Sequence, residues 1–210
     1  MGAEIPFLTD PLIHARVEAF KAGLDQDLLG PPLDAAYIAE VCLSLQPIPL
    51  KRLWDDLRID AALTPDLGGF YVDEESYRLV YGEIPGQAWR ENRLRFSIAH
   101  EIGHFVLHRH AVESIRYGKV EEYLAWRKTL QGPCSPEYQA DESAGRLLVP
   151  RENLLAEYDR VQAAFAVDHA DWWRIEGARE MIAKRLGPRF GVNHRVIGVR
   201  LEREGLWPVE

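Results

Sequence analysis

Cysteine is scarce in this chain: Cys42 and Cys134 are the only two among 210 residues. Two cysteines cannot build the disulfide framework of a small secreted domain, and we expect both thiols to be reduced. The first ten residues lack the basic start and apolar core of a signal peptide, and no apolar run approaches the roughly 20 residues that span a bilayer. The sequence therefore predicts a soluble, cytoplasmic protein that makes no membrane contact.

Positive charge is also in deficit. The chain has 25 basic and 33 acidic residues, which gives a formal net charge of −8. This balance argues against a protein that coats nucleic acids, because such proteins usually present a basic surface. The apolar fraction of 47% and the charged fraction of 28% are those of an ordinary globular protein.

Helical and extended patterns alternate along the chain and predict an α+β fold. β-forming residues at 68–72 and 77–81, separated by a polar turn, predict a hairpin. We expect a mostly helical core with a small β-sheet beside the central helix. Apolar spacing, with stop signals at prolines, predicts the main helices over residues 11–24, 33–45, 91–108 and 135–148.

The C-terminal part is expected to form a separate helical segment. We place the main domain, with its N-terminal helices, at residues 1–160 and the segment at 161–210, packed on the core. A break is predicted at Gly187–Pro188, and the helices on either side of residues 190–192 resemble a helix-turn-helix. Between residues 172 and 205 eight basic residues face four acidic ones. This excess is modest, so we expect packing or partner docking rather than DNA binding.

One short segment has the spacing of a zinc site. His100 and His104 are four residues apart, so on a helix their imidazoles face the same point, which suits a zinc ion. Glu101 follows the first histidine, where its carboxylate could act as general base on a zinc-bound water, as in zinc peptidases. A histidine-rich surface helix is the alternative. Ile98 and Ile102 favour a buried helix, where unpartnered imidazoles would be costly.

A catalytic zinc ion needs a third protein ligand, and several residues compete. His110 lies where metzincins place their third histidine, but Leu107 replaces the glycine that their sharp turn requires. Glu137 begins a predicted helix, and Asp141 follows one turn later, where it can accept a hydrogen bond from a ligand histidine. Glu142 is the fallback ligand and points in a different direction. We favour Glu137 as the ligand, with Asp141 behind the histidine.

Two segments resemble the ImmA/IrrE family of metallopeptidases. They are residues 96–108 (FSIAHEIGHFVLH) and residues 137–150 (EYQADESAGRLLVP), and the similarity extends over roughly residues 33–150. Asp141 stands where members of this family usually have asparagine, and Ser143 stands where phenylalanine is common. These departures concern the partner of the histidine and leave the ligand itself intact.

The resemblance implies a gluzincin-like zinc peptidase. His100, His104 and Glu137 would bind Zn²⁺, and Glu101 would be the catalytic base. Members of the family are similar in cleaving a partner transcriptional repressor, in phage-like mobile elements or in stress responses. The stretch 116–133 is slightly long for the family, and we expect it to shape substrate access.

The remaining catalytic requirement is a donor for the oxyanion that forms when the peptide is attacked. Tyr138, Tyr123 and His108 are the candidates, and His108 could instead cap the end of its helix. An extended substrate could pair with the edge of the strand at 70–73 or with that of its hairpin partner, and packing in the core is the alternative role of these strands. We expect a zinc endopeptidase that acts on a protein such as a repressor. The alternative is a module of the same fold that docks a partner or DNA without hydrolysis.

Overall fold

The computed structural model describes residues 5, 7–82, 87–130, 132, 135–168 and 171–207. It has a mixed α+β fold that is mostly helical, with one small sheet, as the sequence predicts. The elements in these residues are, in chain order, α1 (Asp10–Ala22), α2 (Ala35–Tyr37), β1 (Gln46–Leu50), α3 (Leu53–Leu57), β2 (Ala61–Leu63), β3 (Gly69–Asp73), α4 (Glu74–Val80), α5 (Ala88–Glu113), α6 (Val120–Arg127), α7 (Pro136–Leu148), α8 (Arg151–Asp168), α9 (Ala178–Phe190) and α10 (His194–Arg203).

The sheet has three strands, with β3 in the middle. β1 pairs with β3 in parallel, and β2 pairs with it antiparallel. Gly69 opens β3 and lies so close to β1 that a Cβ atom there would be 2.2 Å from the carbonyl oxygen of Gln46. Glycine is therefore required at this position for the two strands to pair.

The predicted hairpin is wrong in its second strand. Residues 77–81 were expected to pair with 68–72, but they belong to α4 and its end, and the antiparallel partner of β3 is β2. The polar residues of the expected turn start a helix instead. The Asp73 side chain accepts a hydrogen bond from the Ser76 N–H, and Glu74 lies in the first turn, where the helix dipole favours a negative charge.

Helix α5 runs through the centre of the protein and carries the histidine motif. One face of α5 packs against β2 and another against α7. A Cβ atom on Gly103 would lie 3.1 Å from the carbonyl oxygen of Ala140 and 3.1 Å from the Cβ of Ser143. These small residues let the two helices approach closely.

The N-terminal and C-terminal helices share one large hydrophobic core with α5 and α7. The proposed boundary after residue 160 falls within α8 and stays a prediction. Helices α9 and α10 flank a turn at Gly191, and their assignment as a helix-turn-helix stays a prediction. The break expected at Gly187–Pro188 is wrong, because α9 continues through both residues and ends at Phe190.

A second, smaller cluster of buried residues holds α6 beside the sheet. It includes Leu53, Ala62, Ile115, Tyr123 and Leu124. This cluster fixes the helix that carries Arg127 at its last position. None of the helices in the described part of the chain is long and apolar enough to cross a membrane.

We predict that Gly69→Ala destabilises the protein by about 1–3 kcal/mol, because the added methyl group must push β1 away from β3. Urea unfolding followed by circular dichroism measures the effect. Gly68→Ala is the matched control, since the nearest atom to its Cβ is 3.5 Å away, and it should change the free energy of unfolding by no more than about 0.5 kcal/mol. Equal losses in the two variants would contradict this account of Gly69.

Candidate metal centre

Three side chains from two helices meet at one point. His100 and His104 come from α5 and Glu137 from the first turn of α7, and one ligand atom of each lies within 4.8 Å of the others. The Nε2 atoms of the two histidines are 3.0 Å apart. The Glu137 carboxylate is 2.9 Å from the His100 Nε2 through Oε2 and 3.3 Å from the His104 Nε2 through Oε1. This cluster can hold a metal ion.

The start of α7 determines where Glu137 lies. Ser135 is the N-cap residue, and its side chain accepts a hydrogen bond from the Tyr138 N–H. Pro136 occupies the first helical position, where its missing N–H has no cost. The predicted helix start is therefore confirmed, and it places the glutamate in the first turn facing the histidines of α5.

His100 is oriented from behind by Asp141. Its Nδ1 lies 2.7 Å from Asp141 Oδ1, which leaves Nε2 facing Glu137 and the metal position. Burial by itself lowers the pKa of His100, but the hydrogen bonds to Asp141 and Glu137 outweigh it and raise that pKa to about 10. Burial raises the pKa of Glu137, but its hydrogen bonds to His100 and His104 and the charge of Arg127 hold that pKa below its usual range. A metal ion would replace the proton on Nε2.

His104 is oriented by a chain of two further side chains. Its Nδ1 lies 3.0 Å from the Nδ1 of His108, and the Nε2 of His108 lies 3.3 Å from Gln139 Oε1. That oxygen also accepts a hydrogen bond from the Leu8 N–H, so it is an acceptor and His108 donates to it. Burial lowers the pKa of His108 to about 3, so its ring is neutral and its Nδ1 accepts from His104. The Nε2 of His104 is thereby left unprotonated, as a metal ligand must be.

Glu101 is almost fully buried, at 3% exposure, and both of its carboxylate oxygens are hydrogen-bonded. Its Oε2 accepts hydrogen bonds from the Leu63 N–H at 2.6 Å and from Nη1 of Arg127 at 3.0 Å. Its Oε1 accepts from Nη2 of Arg127 at 3.0 Å and lies 4.0 Å from the His100 Nε2. Burial raises the pKa of Glu101, but Arg127, His104 and His100 together outweigh it and keep the pKa below the usual value. Glu101 is thus a carboxylate beside the metal position.

A cleft of about 600 Å³ opens onto this cluster. Ala61 and Ala62 of β2 line it together with Trp54 and Arg93. The lining also includes His100, Glu101, Arg127 and Glu137. Two of the three clustered side chains and the buried carboxylate therefore border the same cleft.

The rejected third-ligand candidates lie elsewhere. The His110 side chain is 99% exposed and lies near Glu113 at the end of α5. Glu142 points away from the cluster and pairs with Arg146 of its own helix and with Arg200 of α10.

The three candidate oxyanion donors are engaged outside the cleft. The Tyr123 hydroxyl donates to the carbonyl oxygen of Leu63 at 2.6 Å. The Tyr138 hydroxyl accepts a hydrogen bond from Arg203 of α10. His108 lies within α5, which continues to Glu113, so it orients His104 and does not cap the helix. Cys134 lies outside the described residues, and Cys42 is exposed.

Sequence reasoning missed Arg127 and Gln139. Arg127 is only 6% exposed and pairs with both Glu101 and Glu137, where its Nε donates to Oε1 at 3.2 Å. It lies in the stretch between the two motifs, which has no regular pattern to single it out. Gln139 could have been found, since it lies two residues after Glu137 and next to Ala140 on the helix that packs against α5.

The fold and the site define a class of protein. Two histidines and a glutamate from two packed helices, with a buried carboxylate beside them and a cleft in front, form a metallopeptidase-type site. The sequence model of the IrrE N-terminal-like domain, a peptidase family, matches residues 87–202. The chain belongs to this family, and the resemblance to ImmA/IrrE metallopeptidases is confirmed. No curated protein matches the chain.

We predict that His108→Ala lowers zinc affinity by about 10–100-fold, because the ring that fixes the His104 tautomer is lost. Competition with a zinc-binding dye measures the affinity. His110→Ala removes an exposed histidine from the same helix and should leave the affinity unchanged. Equal affinity in His108→Ala and the wild type would contradict the chain of hydrogen bonds from Gln139 to His104.

Proposed function

We propose that this protein is a zinc-dependent endopeptidase that cleaves a partner protein, and that the partner is a transcriptional repressor. The observation that carries the proposal is the meeting of His100, His104 and Glu137 beside the buried carboxylate of Glu101. The resemblance to the ImmA/IrrE family supports the repressor as substrate.

Two neutral imidazole nitrogens and one carboxylate form a donor set that suits zinc, with room for an open position on the cleft side. When bound, such an ion lowers the pKa of water towards about 7 and polarises the scissile carbonyl group. The residues of the chain provide the rest. Asp141 and His108 orient the two histidines through their Nδ1 atoms, so both Nε2 atoms face the same point.

Glu101 is positioned to act as the general base. Its Oε2 is occupied by the Leu63 N–H and Arg127, whereas Oε1 faces His100 and accepts only from Arg127 among the described residues. A carboxylate oxygen can accept two hydrogen bonds, so Oε1 retains a site for a proton from the attacking water. Glu101 can then pass that proton to the leaving amine.

The edge of β2 supports an extended peptide as substrate. The backbone groups of Asp60 and Thr64 pair with β3, so along the strand the groups of Ala61 and Leu63 face the opposite, open edge. Leu63 is occupied by Glu101 and Tyr123. Ala61 lies in the cleft wall, where its N–H and C=O can pair with a substrate strand and align its peptide bond with the base.

The metal site is tested by elemental analysis of purified variants. We predict about one zinc ion per wild-type chain and its loss in Glu137→Ala, which removes a ligand. His110→Ala should retain the metal, as should Glu101→Gln, because neither position holds a ligand. No uptake of zinc by the wild type, or full retention by Glu137→Ala, would contradict the site.

Catalysis is tested by incubating zinc-loaded protein with a proteome-derived peptide library and identifying new termini by mass spectrometry. We predict cleavage by the wild type and a decrease of about 10²–10⁴-fold in Glu101→Gln, which keeps the shape but removes the base. Equal cleavage by both proteins would mean a contaminating protease. No cleavage of the library or of a co-expressed repressor would favour the alternative of a binding module.

A further inference from the structure

Arg127 is the only arginine or lysine among the described residues that contacts both the candidate base and the third ligand. It is the last residue of α6 and lines the cleft. Its guanidinium binds both oxygens of Glu101 at 3.0 Å and one oxygen of Glu137 at 3.2 Å. The positive charge of Arg127 therefore lies next to the candidate base and next to one candidate metal ligand.

The hydrogen bonds of Arg127 leave one N–H directed at the reaction site. A guanidinium has five N–H groups in one plane. Nη1 uses its two for Glu101 and the Tyr123 hydroxyl, Nε uses its one for Glu137, and Nη2 uses one for Glu101. The second Nη2 proton lies along the same edge of the plane as the Nε proton. It therefore points to the side where Glu137 and the metal position lie.

The guanidinium is also held rigidly before any substrate arrives. The residue is 6% exposed, and α6 is fixed by the buried Tyr123 and Leu124 of the smaller core cluster. Donors that are desolvated and fixed in advance stabilise developing charge far more than donors in water. The three other candidates do not line the cleft and are hydrogen-bonded elsewhere: Tyr123 to the Leu63 carbonyl oxygen, His108 to Gln139 and Tyr138 to Arg203.

We propose that Arg127 is a catalytic residue that stabilises the negative charge developing on the scissile carbonyl oxygen, by donating the free Nη2 proton to it. The inference rests on the proposed peptidase function. The oxygen becomes charged when water adds to the carbonyl carbon and the C=O π electrons move to oxygen. The charge returns to the C=O bond when the amine leaves with the proton from Glu101.

A binding experiment tests this role without relying on turnover. Cobalt(II)-loaded proteins are titrated with two probes while the visible cobalt spectrum is recorded. Methylphosphonate is a tetrahedral anion that mimics the charged oxygen, and imidazole is a neutral ligand that reports an accessible metal. We expect Arg127→Met to bind methylphosphonate at least about 100-fold more weakly than the wild type, with imidazole affinity within about threefold.

Two further variants distinguish hydrogen-bond donation by Arg127 from the general effect of a positive charge in the cleft. Arg127→Lys keeps the charge but loses the planar fork, and it should weaken methylphosphonate binding by about 10-fold. Lys128→Met removes the neighbouring exposed cation of the cleft and should change methylphosphonate affinity by no more than about threefold. Circular dichroism checks that each variant is folded. Arg127→Lys remains informative if the methionine variant does not fold.

The outcomes distinguish this inference from the proposed function. Unchanged methylphosphonate binding in Arg127→Met and Arg127→Lys, with normal cobalt and imidazole binding, would overturn the role of Arg127 alone. If Lys128→Met weakened methylphosphonate binding as much as Arg127→Met, the effect of Arg127 would be that of any nearby positive charge, and its role as a specific donor would be overturned. Failure of the wild type to take up cobalt would overturn the peptidase proposal and this inference with it.

The cleaved peptide found in the library test gives a second readout. A donor to the developing charge should lower kcat by about 10²–10³-fold when it is removed and leave KM nearly unchanged. A higher kcat in Arg127→Met would show instead that the arginine restrains Glu101, and this result would also overturn the proposal.

Discussion

The candidate metal centre depends on the distance between α5 and α7, and this distance is set by their close approach at Gly103. The carbonyl oxygen of Ala140 and the Cβ of Ser143 lie where a larger side chain at 103 would have to fit. One turn earlier on α7, Glu137 reaches the two histidines of α5 at 2.9 and 3.3 Å. Interiors are close-packed and repack poorly, so a wider helix spacing would move the ligand out of reach. The site is thus a consequence of how two helices pack.

Charge balance is the second constraint in the cleft. Glu101 and Glu137 are carboxylates that are largely removed from water, and a buried charge is tolerated only when it is paired and hydrogen-bonded. Arg127 pairs with both, and the Nε2 of His100 lies 2.9 Å from Glu137. The pairing also joins separate parts of the fold, since Glu101 holds the Leu63 N–H of β2 and Arg127 comes from α6. Glu101 and Arg127 therefore also connect the sheet to helices α5 and α6.

The parts of the site that follow from local sequence could be predicted. His100, Glu101 and His104 need only a helix to come together, because helical spacing alone puts the histidines on one face. Glu137 followed from the cap signal at Ser135–Pro136, which fixes where α7 begins. The main helices were predicted for the same reason, although α5 is longer at both ends than the apolar pattern indicated.

Contacts between distant segments could not be predicted in the same way. The pairing of β2 with β3 depends on a three-residue strand, too short to give a pattern, and residues 77–81 have β-forming side chains that the Asp73 cap turns into a helix. Arg127 is separated from Glu101 by 26 positions, and nothing in its own segment indicates a buried partner. Single-sequence patterns report local geometry, and they carry no information on which buried charges will meet.

Helix α7 connects the metal centre to the rest of the molecule through its different faces. Glu137 and Asp141 face α5, whereas Glu142 faces α10 and pairs with Arg200, which is 2% exposed. Gln139, between them, accepts from the Leu8 N–H at the entry to α1 and from His108 behind the metal ligand. A shift of α7 would disturb these contacts together, because most of them are buried. The segment at Leu8 and helix α10 therefore help to hold in place the helix that carries Glu137, so a cluster built from two helices depends on packing from both terminal parts of the described chain.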